Sequence, residues 1–169
     1  MSIQDEIEAA KSSGALVCAC PLVPWEGEPR VFLMSQELRD EIAAGRRNPN
    51  EYMRWAKLEA DIGHFVAGGY INWQLLKWLD PKKYEHWELR SVRPRPSLRV
   101  FGRFALPDVF VGTHVVARSP LGGKWSVEWE IEKLRCEDVW NKSFVSSPFT
   151  GETYEHYITD NASREVRIG

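Results

Sequence analysis

Three stretches of alternating apolar and polar residues lie close together near the middle of the chain. HWELRSV, LRVFGRFA and VFVGTHVV are separated by RPRPS and LPD, and both connectors carry proline and other turn residues. Alternation with a period of two is typical of a β-strand with one buried face. Proline suits a turn and interrupts a central strand ladder. The pattern therefore predicts a three-stranded antiparallel meander between Trp87 and Arg118.

The same alternation assigns the side chains of the three strands to two faces. Trp87 and Leu89 are expected to point into the core, on the face that also holds Leu98, Val100 and Phe104. In the third strand the predicted alternation separates Val109, Val111 and Val115 from Phe110, His114 and Arg118. The opposite face collects Glu88, Arg90, Arg99, Phe101, Arg103, His114 and Arg118. This polar face is either a solvated outer surface, with Glu88 paired to an arginine, or a functional surface.

Helical periodicity and capping residues predict the elements around the meander. One helix is expected from Asn50 to about Ala67, and a second from Asn72 to Leu79, where Pro81 prevents continuation. Together they form a helical hairpin ahead of the strands. Ser126 is expected to cap a third long helix that ends near Lys142. The resulting prediction is an α+β fold, with a helical hairpin packed on a small twisted antiparallel sheet.

The third long helix carries two apolar stripes. The first is formed by Val127, Ile131 and Leu134; the second is formed by Trp125, Trp129, Cys136 and Trp140. Aromatic residues at helical spacing usually belong to a core. We therefore expect these tryptophans to pack within the protein and not to stack on nucleic-acid bases.

The residues before the turn-rich break GRRNPN are interpreted as an N-terminal extension over 1–47. Within it, Ser2 is expected to cap a short helix, ALVCACPLV and VFLM to form strands, and Ser35 to cap a helix ending near Gly45. The α+β core is placed at 48–145 and a C-terminal tail at 146–169. In the tail, Tyr154 to Thr159 fits either a helix or a strand.

Composition and charge narrow the classes of protein that fit the sequence. The 169 residues include 43% hydrophobic residues and eight tryptophans, which indicates a folded domain. No apolar run is long enough to span a membrane, and the acidic N-terminus does not resemble a signal peptide. Three cysteines are an odd number, which favours a reduced, cytoplasmic protein. No metal site or cofactor is expected, because the histidines and cysteines lack zinc spacing and no nucleotide-binding loop is present.

Charge is distributed unevenly along the chain. The net charge is −2, but residues 77–124 hold 10 basic and 4 acidic groups, and the segments on either side are acidic. A local basic patch can bind a polyanion even when the whole protein is acidic. The positive charge is therefore concentrated on the meander and its flanks, which is the region most suited to binding a polyanion.

Several short motifs occur in the order found in one known superfamily. LEADIGHFVAGG and WQLLKWL precede HWELRS, LRVFGRF and VFVGTHVVAR. From about residue 55 to 121 the chain resembles the RelE/ParE toxin superfamily, especially its phage-derived RelE-like branch. The resemblance implies a helical hairpin against a twisted antiparallel sheet. RelE-like members are ribosome-associated endoribonucleases neutralised by an antitoxin, whereas ParE-like members act on DNA gyrase.

The resemblance implies an RNA-cleaving site on the polar face of the sheet. Positions that match the functional basic residues of RelE-like proteins are Arg90, Arg99 and Arg118, which could stabilise phosphate charge without a metal ion. Arginine stays charged, so Glu88 or His114 is the better candidate for a general base. The residues expected to bind RNA on the same face are Phe101, by stacking on a base, and Arg103.

The chain departs from the RelE-like pattern in ways that support an alternative. Its third strand ends Ala117-Arg118-Ser119, where the phage-derived branch tends to have two lysines, and typical members are shorter and more basic. The alternative is a non-catalytic phage or mobile-element protein that binds a host protein or nucleic acid on the same scaffold. A polar face that lies open favours the enzyme, and a face covered by the C-terminal segment favours the binding protein.

Overall fold

A six-stranded mixed sheet organises the computed structural model, which describes residues 1–19 and 29–165. In chain order the strands are β1 (Leu16–Cys18), β2 (Val31–Ser35), β3 (Leu76–Trp78), β4 (Trp87–Ser91), β5 (Leu98–Leu106) and β6 (Val109–Ala117). Their order across the sheet is β1-β2-β6-β5-β4-β3. The β2–β6 pair is parallel, and the other four pairs are antiparallel. The fold is α+β, but the prediction of a purely antiparallel sheet is wrong.

The meander is confirmed as β4, β5 and β6, which pair as adjacent antiparallel strands. The residues predicted as an N-terminal extension supply two further strands of the same sheet. Of the strand expected over ALVCACPLV, Leu16–Cys18 forms β1, and residues 20–23 lie outside the described part of the chain. The stretch VFLM lies within β2, whose backbone runs parallel to the start of β6.

Five α-helices occur in the described residues, and side-chain caps fix the start of three of them. They are α1 (Ile3–Ser13), α2 (Gln36–Arg47), α3 (Tyr52–Val66), α4 (Val127–Ser143) and α5 (Tyr154–Tyr157). The hydroxyls of Ser2, Ser35 and Ser126 accept hydrogen bonds from backbone N–H groups in the first turns of α1, α2 and α4. These three predicted caps are confirmed. Asn50 is not the cap of α3, which begins after Glu51 without a side-chain cap.

The second helix predicted from Asn72 to Leu79 is wrong. Residues 73–75 form a turn, and Leu76–Trp78 forms β3. This short strand pairs with β4 through Leu76, Lys77 and Trp78. Short apolar runs fit a helix or a strand equally well, and here pairing with the edge of the sheet decides the outcome. The helical hairpin on the sheet is therefore formed by α2 and α3.

Two apolar layers cover opposite faces of the sheet. One layer joins α2 and α3 to a face that holds Phe32, Trp87 and Leu89, each fully buried. The other joins α1 and α4 to Leu33, Val111 and their neighbours on the opposite face. The prediction that Trp87 and Leu89 point into the core is confirmed. The interpretation of the second face as a solvated outer surface is wrong, because helices cover it.

A β-bulge in β6 changes the predicted alternation of that strand. Phe101 is paired with His114 and Gly102 with Gly112, so Thr113 is left without a partner on β5. As a result Phe110 and Val115 lie in the same core layer, although an unbroken strand would place them on opposite faces. The predicted grouping of Val111 with Val115 is therefore wrong.

The long helix α4 packs on the polar face of β5 and β6. Trp129 and Trp140 belong to this helix and are buried, which confirms the packing prediction for these two tryptophans. Trp125 differs, because it precedes the helix and is 57% exposed. The stripe formed by Val127, Ile131 and Leu134 faces solvent. Among the described residues, no helix has both the length and the apolar character needed to cross a bilayer.

Candidate anion-binding site

A cleft of about 140 Å³ lies between the first half of α4 and the β3–β4 edge of the sheet. We call it the basic cleft. Its cationic lining consists of Lys77, Arg90, Arg118, Lys124 and Lys133. Asp80 and Glu88 contribute carboxylates, and Leu79, Trp125 and Trp129 complete the lining. Five cations face two carboxylates of the lining, and Glu130 pairs with Lys133 at 3.2 Å; the positive charge still exceeds the negative charge, so the cleft favours an anion.

Glu88 lies at the base of the cleft and is only 2% exposed. Its Oε1 is 3.6 Å from Nε of Arg90, and its Oε2 is 3.6 Å from Nε of Arg99. Burial raises the pKa of Glu88, and the nearby guanidinium groups of Arg99 and Arg90 partly oppose that effect. The carboxyl group therefore holds two arginines in place and is more easily protonated than an exposed glutamate.

Several polar atoms at the base of the cleft lack hydrogen-bond partners. Glu88 Oε2, Arg90 Nε and Arg99 Nε are all buried and make no hydrogen bond. Buried polar groups normally have partners, so each exception suggests strain, a bound water or a ligand. Arg90 is the best placed of the three to meet a ligand, because 23% of its side chain remains exposed.

Two cations of the cleft are not committed to ion pairs. Within the described residues, neither Lys77 nor Arg118 has a carboxylate within 4.0 Å, and both side chains are half-buried. The guanidinium carbon of Arg118 lies 5.5 Å from the ring centroid of Trp129, which supports it from one side. These groups, with Arg90, present positive charge toward the space of the cleft.

The remaining two cations of the cleft hold its wall together. Lys124 Nζ donates to the Asp80 carboxylate at 2.8 Å, and Lys133 Nζ donates to the Asp80 carbonyl oxygen at 2.8 Å. Hydrogen bonds from Lys124 and Lys82 lower the pKa of Asp80 to about 2, so this carboxylate is ionised at neutral pH. Asp80, which follows β3, is thus connected to α4 through Lys133 and to the loop before α4 through Lys124.

Trp125 occupies an unusual backbone conformation beside the basic cleft. Its φ is +71°, which is uncommon for a residue with a bulky side chain. The ammonium groups of Lys124 and Lys133 lie 5.1 Å and 5.4 Å from the centroid of its ring. The structure therefore holds an exposed aromatic ring next to positive charge, as sites that stack nucleic-acid bases often do.

The three candidate arginines converge around Glu88, but they are not equivalent. Arg90 and Arg118 line the cleft. Arg99 lies beneath it, 4% exposed, and donates to Ser97 Oγ and to the carbonyl oxygen of Leu98. Burial lowers the pKa of Arg99 to about 10, so it remains charged at neutral pH. Its position suits it to orienting Glu88, not to touching a ligand.

His114 is fully buried and does not line the basic cleft. Its Nε2 is 2.7 Å from Glu132 Oε2, its Nδ1 is 3.0 Å from Thr113 Oγ1, and its ring stacks on Phe101. Burial lowers the pKa of His114 to about 3. This geometry does not support a role as general base for a ligand in the cleft.

The two residues expected to bind RNA, Phe101 and Arg103, also lie away from the cleft. Phe101 is fully buried, with the ring of His114 at 5.1 Å and that of Trp129 at 5.6 Å between centroids. Arg103 donates to the carbonyl oxygen of Tyr84 at 2.8 Å, and its guanidinium lies over Trp140. Both side chains help to seat α4 on the sheet.

Four residues of the cleft are absent from the site predicted from the sequence: Lys77, Lys124, Trp125 and Lys133. Lys77 falls within the predicted second helix, which is in fact the edge strand β3. Trp125 and Lys133 reach the cleft only because α4 crosses this part of the sheet. The one signal in the sequence is the concentration of positive charge over residues 77–124, which includes four of the five cleft cations.

The described residues contain no group of three or more His, Cys, Asp or Glu side chains that could hold a metal ion. No family model, curated protein or solved structure matches this chain. The resemblance to RelE/ParE toxins therefore stays a prediction, and the functional argument rests on the basic cleft.

Proposed function

We propose that the protein binds single-stranded nucleic acid, with a phosphate group in the basic cleft and a base stacked on Trp125. The observation that carries this proposal is the convergence of Arg90, Arg118 and Lys77 above a buried carboxylate. Guanidinium groups match phosphate oxygens through two parallel N–H donors, and the lysine adds a third cation. Arg90 pairs with Glu88 through its buried Nε and keeps 23% of its side chain exposed, which leaves part of the guanidinium group accessible to an anion.

The exposed ring of Trp125 favours a nucleic acid, and not a simple inorganic anion, as the ligand of the cleft. An exposed aromatic ring beside a phosphate site provides a stacking platform, and stacking contributes about 1–3 kcal/mol per base. Trp129 is buried and cannot serve in the same way. The covering of the polar face by α4 favours the binding protein over the enzyme among the two hypotheses drawn from the sequence.

The proposal is tested by fluorescence anisotropy with a labelled single-stranded RNA and the matching DNA. We expect the double variant Arg90→Ala/Arg118→Ala to bind at least tenfold more weakly than the wild type. A hydrogen bond to a charged group contributes about 1.5–3 kcal/mol, and about 1.4 kcal/mol corresponds to tenfold in affinity. The matched control is Arg46→Ala, whose arginine contacts Tyr52 and Glu59 away from the cleft. Equal affinity of the double variant and the wild type would refute the proposal.

RNA cleavage is the second candidate function. The observation that favours it is the position of Glu88 in the cleft, where burial raises its pKa. A carboxyl group with a raised pKa beside arginines suits a general base that acts on a ribose 2′-hydroxyl. On this hypothesis Arg90 and Arg118 stabilise the charge on the phosphate. The test is incubation of RNA with wild type and Glu88→Gln, alone and with ribosomes. Cleavage that disappears in Glu88→Gln while RNA binding persists supports an enzyme, and intact RNA with both proteins contradicts it.

A further inference from the structure

The basic cleft is closed at the end where α4 meets the residues after β3. Lys124 and Lys133 both donate to Asp80, one to its carboxylate and one to its carbonyl oxygen, each at 2.8 Å. Lys133 is only 6% exposed, so its link to Asp80 is shielded from solvent. A continuous strand passing between α4 and the sheet would have to break both links. The cleft is therefore suited to receive the end of a ligand.

The charge in the cleft also fits an end group better than the interior of a strand. Lys77, Arg90 and Arg118 offer three cationic groups around one small space. Among these three, Arg90 pairs with Glu88, a carboxyl group that is also shared with Arg99. A terminal phosphate has three free oxygens and a charge between −1.5 and −2 at neutral pH, since its second pKa is about 6. An internal phosphodiester has two free oxygens and one charge. The three cations therefore match a terminal phosphate.

Trp125 is placed to meet the base next to such a terminal phosphate. Its ring is 57% exposed, and the ammonium groups of Lys124 and Lys133 lie 5.1 Å and 5.4 Å from the ring centroid. The same lysines that close the cleft therefore flank the aromatic ring. Trp125 lines the same small cleft as Arg90 and Arg118, so a phosphate bound by these arginines would bring its attached nucleoside close to this ring.

We propose that the basic cleft recognises the terminal phosphate of a single-stranded nucleic acid, with the terminal base stacked on Trp125. This inference rests on the proposed function and specifies that the bound part of the strand is its phosphorylated end. The ligand chemistry is a phosphate monoester on a nucleoside, which occurs at a 5′ end, at a 3′ end or in a free mononucleotide. The protein then distinguishes phosphorylated ends from hydroxyl ends.

The test uses one short RNA sequence in three forms: 5′-phosphate, 3′-phosphate and hydroxyl at both ends, each with an internal label. Anisotropy titrations of the full chain should show that one phosphorylated form binds at least tenfold more tightly than the hydroxyl form. The corresponding nucleoside monophosphate should compete with it, and the unphosphorylated nucleoside should not. The preference should fall to less than threefold in Arg90→Ala/Arg118→Ala and persist in the control Arg46→Ala.

Trp125→Ala separates base stacking from phosphate binding. We expect it to weaken binding of the phosphorylated RNA at least fivefold and to leave the affinity for inorganic sulfate within twofold. Equal affinity for the three RNA forms, with binding still at least tenfold weaker in the double arginine variant, would overturn end recognition and leave the proposed function standing. No measurable binding of any form to the folded wild type would overturn both.

Discussion

Replacing Trp87 by alanine tests whether the apolar face of the meander is the main core of the protein. Trp87 is fully buried on β4 and packs among aromatic rings. Its ring stacks on Trp78 at 5.3 Å between centroids, and it also lies 5.0 Å from Phe104 and 4.8 Å from Tyr157. Tyr154 completes the set at 5.6 Å. The substitution removes the centre of this cluster.

The expected loss of stability is large because the rings packed around Trp87 relax only partially into the space that the truncation leaves. Truncation of a buried Trp to Ala costs about 3–5 kcal/mol, and aromatic pairs contribute about 0.5–1.5 kcal/mol each beyond the area they bury. The free energy of unfolding of a domain of ordinary size is only about 5–15 kcal/mol. At about 2–4 °C per kcal/mol for a chain of this length, the melting temperature should fall by about 6–20 °C.

Guanidinium unfolding followed by circular dichroism measures this loss. The matched control is Trp125→Ala, which removes an exposed tryptophan and should change the free energy of unfolding by about 0.5 kcal/mol or less. A loss below about 1 kcal/mol for Trp87→Ala, at an unchanged denaturant slope, would refute the assignment of this face to the core.

Two further predictions concern Glu88 and the start of α4. The folded state raises the pKa of Glu88 above the ordinary 4.5, so the stability that its protonation provides is complete below pH 4.5 and is lost as pH rises through the folded pKa. Denaturant melts across this range should show the wild type losing stability relative to Glu88→Gln as pH rises, and parallel curves would contradict the burial effect. Ser126→Ala removes the hydroxyl that accepts from Trp129 N and should cost about 0.5–2 kcal/mol in thermal melts, whereas an unchanged melting temperature would show that the cap contributes nothing.

Local patterns in the sequence are sufficient to predict the meander, because its strands are neighbours in the chain and alternate clearly. They are not sufficient for the region around Leu76, where three residues pair with β4 and so adopt a strand. The parallel pairing of β2 with β6 joins strands that are far apart in the chain, and no local signal specifies it. The bulge at Thr113 also escapes prediction, because it inserts one residue without interrupting the apolar character of β6.

The candidate site, like the fold, is only partly predictable from the sequence. Strand alternation correctly brings Glu88, Arg90 and Arg99 to one face, since it depends only on the two-residue repeat. It gives no information on which of these side chains α4 covers. The arrival of Lys133 and Trp125 at the cleft depends on where α4, which follows the meander in the chain, crosses the sheet.

The dependence of nucleic-acid affinity on salt shows whether the basic cleft holds phosphate. Phosphate binding releases counterions, so log K should fall linearly with log salt, with a slope of about −0.7 for each phosphate that the protein neutralises on a single strand. We expect Arg90→Ala/Arg118→Ala to bind more weakly than the wild type at low salt. Its slope should also be shallower, by about 0.7 for each phosphate that the variant fails to neutralise. Arg46→Ala should match the wild type. Identical slopes and affinities for the wild type and the double variant would show that the basic cleft does not hold phosphate.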